Sequence, residues 1–148
     1  MVKSKIELAI NLGRAMAELR NELRQYIQVK LKAHGINMTF EMLEVMTALW
    51  KQDGVNQQDL ADQTLKDKSS MTYLIDNLVK RELVQRVEDE NDRRNKLIYI
   101  TDEAKELKNV ICPWVAEVYG NATVDVDMPE LEDGLVLFNQ MIKNLKHK

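Results

Sequence analysis

Apolar residues recur at three- and four-residue intervals along most of this chain, and at intervals of about two in a short stretch past its middle. The first spacing is that of one face of an α-helix and the second that of a half-buried strand. Leu12, Met16, Leu19, Leu23 and Ile27 fall on one stripe, which predicts a helix from about Ser4 to about Ala33, closed by His34-Gly35. Ile10, Tyr26 and Leu31 widen its apolar face, and its length exceeds what a small core needs. Part of it is therefore expected to pack against a second chain; the competing arrangement is a long helix lying on its own core.

Thr39 is placed to cap a second helix whose buried stripe is Phe40, Leu43, Met46 and Leu49, with Glu41 in the first turn and Asp53-Gly54 at its close. Asn56 caps a short helix that turns Leu60 and Ala61 inward, a turn follows at Thr64 to Lys66, and Asp67 caps the next helix. After Arg81 the period falls to about two, in Leu83 to Val87 and again in Lys96 to Ile100, on either side of a polar, acidic stretch; this predicts a β-hairpin. Thr101 restarts a helix with the stripe Leu107, Ile111, Trp114 and Val118, ending near Gly120. Asp127 and Pro129 open a last helix carrying Leu131, Leu135, Phe138 and either Met141 or Ile142 on one face.

The expected fold class is thus mainly α with a small β-hairpin, an α+β arrangement in which residues 37–100 form a winged helix-turn-helix. Its helix-turn-helix spans about 56–81 and its wing about 83–100. Long helices at 4–34 and 101–148 flank it as dimerisation helices within a single domain, 1–148. Five glycines and two prolines in 148 residues agree with short loops. Cys112 stands alone, which excludes an internal disulfide and suits a reducing compartment. Lys3, Lys5, Glu7 and Arg14 interrupt the apolar residues at the N-terminus and no run is long enough to span a bilayer, so a cytoplasmic protein without membrane contact is expected.

A net charge of −3 counts mildly against nucleic-acid binding, but distribution matters more than the sum. Between Lys66 and Lys96 eight basic residues outnumber seven acids. On a helical wheel Met71, Ile75 and Leu78 face one way; Ser69, Tyr73, Asp76 and Lys80 face the other, flanked by Ser70, Thr72 and Asn77. Short hydroxyls, an amide and an aromatic let a helix backbone approach base edges in a major groove, though any solvated helix face has a similar make-up. Lys66 and Lys68 near the helix N-terminus favour phosphate there.

The wing stretch, with Asp92-Arg93-Arg94 followed by Leu97, Ile98, Ile100 and Thr101, resembles that of MarR-family regulators. So do Gln57, Leu60 and Ala61, then Lys68-Ser69-Ser70, Thr72, Leu74-Ile75-Asp76-Asn77-Leu78 and Leu83-Val84. The resemblance implies a sequence-specific transcriptional regulator: a two-fold homodimer, interlocked through its first and last two helices, that sets two winged domains on a palindromic operator of double-stranded DNA. It implies that Arg94 enters the minor groove beside Arg93 and that Asp92 orients it by an ion pair. It also implies a small, often phenolic, effector between dimer helices and winged domain, and hence a ligand-responsive repressor, although no residue separates repression from activation. Met42, Met46, Trp50, Trp114 and Tyr119 are the candidates for lining that pocket, while stripes of this kind are more often core. Two departures stand out: Leu65 where the family often has glycine in the turn, and Tyr73 where it often has arginine.

Catalysis needs clustered nucleophiles, bases or ligands, and His34, His147 and Cys112 are isolated in the sequence. No enzyme, metal or cofactor is expected. A redox role for Cys112 would need an exposed, low-pKa thiolate, whereas its place beside the core stripe suits a small hydrophobe. The alternative function is a winged domain used for protein contacts without specific DNA binding.

Overall fold

Local side-chain bonds decide where the helices start. In a computed structural model describing residues 4–146, the elements run α1 (Lys5–Ala33), α2 (Phe40–Lys51), β1 (Val55–Asn56), α3 (Gln57–Gln63), α4 (Lys68–Lys80), β2 (Val84–Asp89), β3 (Asp92–Ile100), α5 (Asp102–Ala122) and α6 (Met128–Lys146). His147 lies outside the described residues. Ser4 forms a capping box with Glu7, and Thr39, Asn56, Asp67 and Thr101 each accept a backbone N–H of the following turn.

The winged portion buries its apolar residues within the chain. Val45, Met46 and Leu49 of α2, Leu60 of α3, Met71, Ile75 and Leu78 of α4 and Ile98 of β3 are fully buried. Ile111, Trp114 and Val118 of α5 and Ile27 and Leu31 of α1 close the core. Trp50 Nε1 donates to the Ala104 carbonyl at 2.9 Å, tying α2 to α5. The guanidinium groups of Arg20 and Arg24 both lie over the Phe40 ring, which fastens α1 to α2.

The sheet has three antiparallel strands in the order β1-β3-β2, one more than the predicted hairpin. The third strand is two residues long, too short to show a period, and pairs Val55 with Ile98 and Asn56 with Leu97. The turn before it needs Gly54: φ is +69°, and a Cβ there would lie 2.8 Å from the Tyr99 ring. Both wing strands run farther toward the tip than the apolar pattern indicates, because Glu88 and Lys96 pair across them and only Glu90-Asn91 remains for the turn.

The terminal helices bury little of their predicted stripes within the single chain. Of the stripe predicted for α1, Ile27 alone is buried; Leu19 is 54% exposed. In α6 no residue is buried, and Leu135 is 64% exposed.

Candidate nucleic-acid interface

Asp67 fixes the start of α4 by accepting the Ser70 N–H at 2.7 Å. That bond, with further ones from Ser70 and Ser69, holds its carboxyl below the ordinary carboxylate range. From this start Met71, Ile75 and Leu78 turn inward and Ser69, Ser70, Thr72 and Tyr73 turn to solvent, as the wheel predicts; Leu74 is buried as well and Lys68 is exposed. Asn77 is half-buried and its amide donates to the Tyr73 carbonyl at 2.9 Å, so it lies back along the helix.

Lys66 is placed differently from the phosphate contact expected of it. Its Nζ sits 3.1 Å from Glu44, its side chain is only 12% exposed, and Glu44 also takes Arg20 at 2.9 Å. The lysine therefore anchors the turn between α3 and α4 to α2 and α1 rather than standing free for a phosphate.

At the wing, Arg93 and Arg94 are exposed and enter no ion pair among the described residues. Asp92 does not pair with the Arg94 guanidinium as expected: its Oδ1 accepts the Arg94 backbone N–H at 3.0 Å. A carboxylate reaches the N–H two residues on through a local turn, which leaves the longer arginine head unbound. The acidic run is mostly engaged as well. Glu88 pairs with Lys96 at 2.6 Å, and Asp89 accepts from Asn91 N–H at 3.0 Å and Asn95 Nδ2 at 2.8 Å. Those two bonds hold the Asp89 carboxyl below its usual range. Lys68 and Arg94 line one small cavity of about 210 Å³ with Gln57, Met71 and Lys96, so the start of α4 and the wing border one concavity.

Three residues that sequence reasoning did not single out as site residues tie these parts together. Arg86 of β2 donates from Nη2 to Asp76 of α4 at 2.7 Å and from Nε to Gln57 Oε1 at 3.2 Å, and Gln57 Nε2 reaches Thr72 at 3.2 Å. Glu44 is the third, through its two cations. Their partners are distant in sequence, and no periodicity marks them.

The geometry has its counterpart among known proteins. Residues 38–96, which carry α2 through most of β3, match the model of the MarR family. MhqR, a helix-turn-helix transcriptional regulator of Bacillus subtilis, is 31% identical over 114 residues, covering 76% of this chain and 74% of that protein. The chain belongs to the MarR family. A MarR transcriptional regulator from Methanosarcina mazei Go1 superposes with a TM-score of 0.76 at 25% identity, over 93% of this chain and 98% of that one. Staphylococcus aureus MepR, solved in a DNA-binding conformation, shares the fold with a TM-score of 0.80 at 22% identity, over 90% of this chain and 98% of that one. Membership makes this a transcriptional regulator with a winged-helix DNA-binding fold rather than an enzyme.

Leu65, which stands where the resemblance leads one to expect glycine, takes a backbone conformation that suits glycine. Its φ is +56°, in the left-handed region, and its side chain is 91% exposed. A glycine adopts that conformation freely, and leucine does so at a cost of roughly 1–2 kcal/mol. A cavity of about 850 Å³ opens between α1, α2 and α5, lined by Leu23, Ile27, Phe40, Leu43, Val118 and Tyr119 among others. Of the five residues expected to line an effector site, Tyr119 alone borders this cavity. Met42, Met46, Trp50 and Trp114 are buried in the core instead. No helix of the described residues is long and apolar enough to cross a membrane.

Proposed function

We propose that this MarR-family chain is a cytoplasmic, homodimeric repressor that reads a palindromic operator and is released by a small aromatic effector. The observation that carries the reading is the shared concavity of Lys68 and Arg94, with Ser69, Thr72 and Tyr73 exposed on the same helix as Lys68. A helix face of that chemistry fits a major groove, while an unpaired arginine on the wing fits the focused negative potential of a minor groove. Lys68 and Arg93 add charge toward phosphates.

The apolar residues left exposed on α1 and α6 support a second copy as partner, and a two-fold pair of reading heads calls for a palindrome. The cavity beside Phe40 and Tyr119, mostly apolar with Arg20 and Glu44 at its wall, has the size and lining that suit an aromatic effector. A dimer lying across successive grooves of a promoter blocks it, and an effector that changes the spacing of the heads lifts the block.

Selection from a random pool of double-stranded DNA tests this directly. The expected product is an inverted repeat with half-site centres about one helical turn, or a multiple, apart, and a promoter carrying it should be silenced in transcription with purified protein. No enriched sequence would overturn the reading.

A further inference from the structure

The hydroxyl of Thr72 is already committed. Its Oγ1 donates to the Lys68 carbonyl one turn back at 3.0 Å and accepts from Gln57 Nε2 at 3.2 Å. Gln57 is fixed in turn, since its Oε1 accepts from Arg86 Nε at 3.2 Å, and Arg86 also holds Asp76, one turn on from Thr72 in α4, at 2.7 Å. The bonds close a circuit from α4 to α3 to β2 and back to α4, which holds Thr72 in one rotamer.

A hydroxyl has a single proton. With that proton spent on Lys68, Thr72 has none to donate to N7 or O6 of guanine, N7 of adenine or O4 of thymine. Thr72 is nevertheless on the exposed face of the helix, where the group left uncommitted is its methyl. A threonine methyl is complementary to one base feature in the major groove, the C5-methyl of thymine. Tyr73 and Ser69, by contrast, make no side-chain hydrogen bond among the described residues, so their hydroxyls are free to exchange bonds with base edges.

We infer that Thr72 is a specificity-determining residue that reads a thymine through methyl–methyl contact, with Gln57 and Arg86 as the positioning residues that keep its hydroxyl turned away. The inference rests on the DNA-reading proposal above and adds the base and the group that is read.

The test takes the preferred site selected by the full-length wild-type chain and replaces each thymine in turn by deoxyuridine, which lacks only the C5-methyl. Affinities are measured for wild type, Thr72→Val, Thr72→Ser and Gln57→Ala, each first checked for wild-type helix content by circular dichroism. One thymine in each half-site should be sensitive in the wild type, with affinity falling by about fourfold per methyl removed, the factor that burial of one such group carries. Thr72→Val, which keeps the methyl, should retain the penalty; Thr72→Ser, which keeps the hydroxyl, should lose it. Gln57→Ala should shrink the penalty, an effect that loss of stability alone would not produce.

Retention of the penalty by Thr72→Ser, or its absence at every thymine in the wild type, overturns the inference. So does a Thr72→Val variant that loses affinity where Thr72→Ser does not, since the hydroxyl would then be the reader through its remaining lone pair. An unchanged penalty in Gln57→Ala removes Gln57 from the positioning role. If the wild type selects no site at all, it is the DNA-reading proposal that fails.

Discussion

The winged portion and the terminal helices use the same apolar side chains to opposite ends. Leu49, Leu60 and Leu78 are fully buried, whereas Leu19 in α1 and Leu131, Leu135 and Leu137 in α6 stand in solvent in the single chain. Both regions show helical stripes of similar strength in the sequence, so the stripe alone does not separate them. What separates them is a packing layer: α2, α3, α4 and the sheet enclose one another, and α6 buries no residue against the rest of the described chain. A stripe states that a face wants burial and does not state whose surface will bury it.

The largest predicted effect breaks the comparison at its weaker side. Leu135→Asp puts a charge into the expected interface and should cost about 3–5 kcal/mol of dimer stability per chain, read as a fall in the urea midpoint that steepens on dilution. If Leu135 keeps its exposure in solution, the change stays within about 0.5 kcal/mol. Leu78→Ala should cost about 2–5 kcal/mol through the cavity left in the winged core. Its shift in midpoint should be independent of protein concentration wherever the wild type is a dimer, because the packing it removes lies within one chain.

Smaller effects sharpen the assignment of parts. Leu65→Gly should raise stability by about 1 kcal/mol, since glycine relieves the left-handed strain but loses more chain entropy on folding; a thermal melt checks it. Arg94→Ala should move stability by no more than about 1 kcal/mol. The same variant should make the slope of log affinity against log salt shallower by roughly 2, one phosphate contact for each subunit of the dimer. An unchanged slope and unchanged affinity would remove the wing from DNA binding. Asp92→Ala should show a weaker defect, because it frees the Arg94 backbone and leaves the charge.

The parts legible in the sequence are those whose physics is local. Ser4, Thr39, Asn56, Asp67 and Thr101 mark helix starts because each bonds a backbone group within three residues of itself. The outward and inward faces of α4 follow from a period of 3.6 alone. Contacts across elements are not legible. Glu44 takes Lys66 from 22 residues away, Gln57 takes Arg86 from 29, and the two residues of β1 find β3 more than forty positions on. Met42, Met46, Trp50 and Trp114 show the same gap, because a wheel turns them inward without telling a filled core from a cavity wall. Asp92 is a local miss: its spacing from Arg94 suits either the guanidinium or the backbone, and the nearer backbone N–H takes the carboxylate.

Sedimentation equilibrium of the purified chain, over a wide range of concentration and without DNA, tests the central claim most directly, since the role assigned to the terminal helices follows from the apolar faces of α1 and α6 closing on a second copy. The account predicts a single species of twice the 17.2 kDa chain mass, falling to one chain mass in Leu135→Asp. One chain mass for the wild type throughout the range would contradict it.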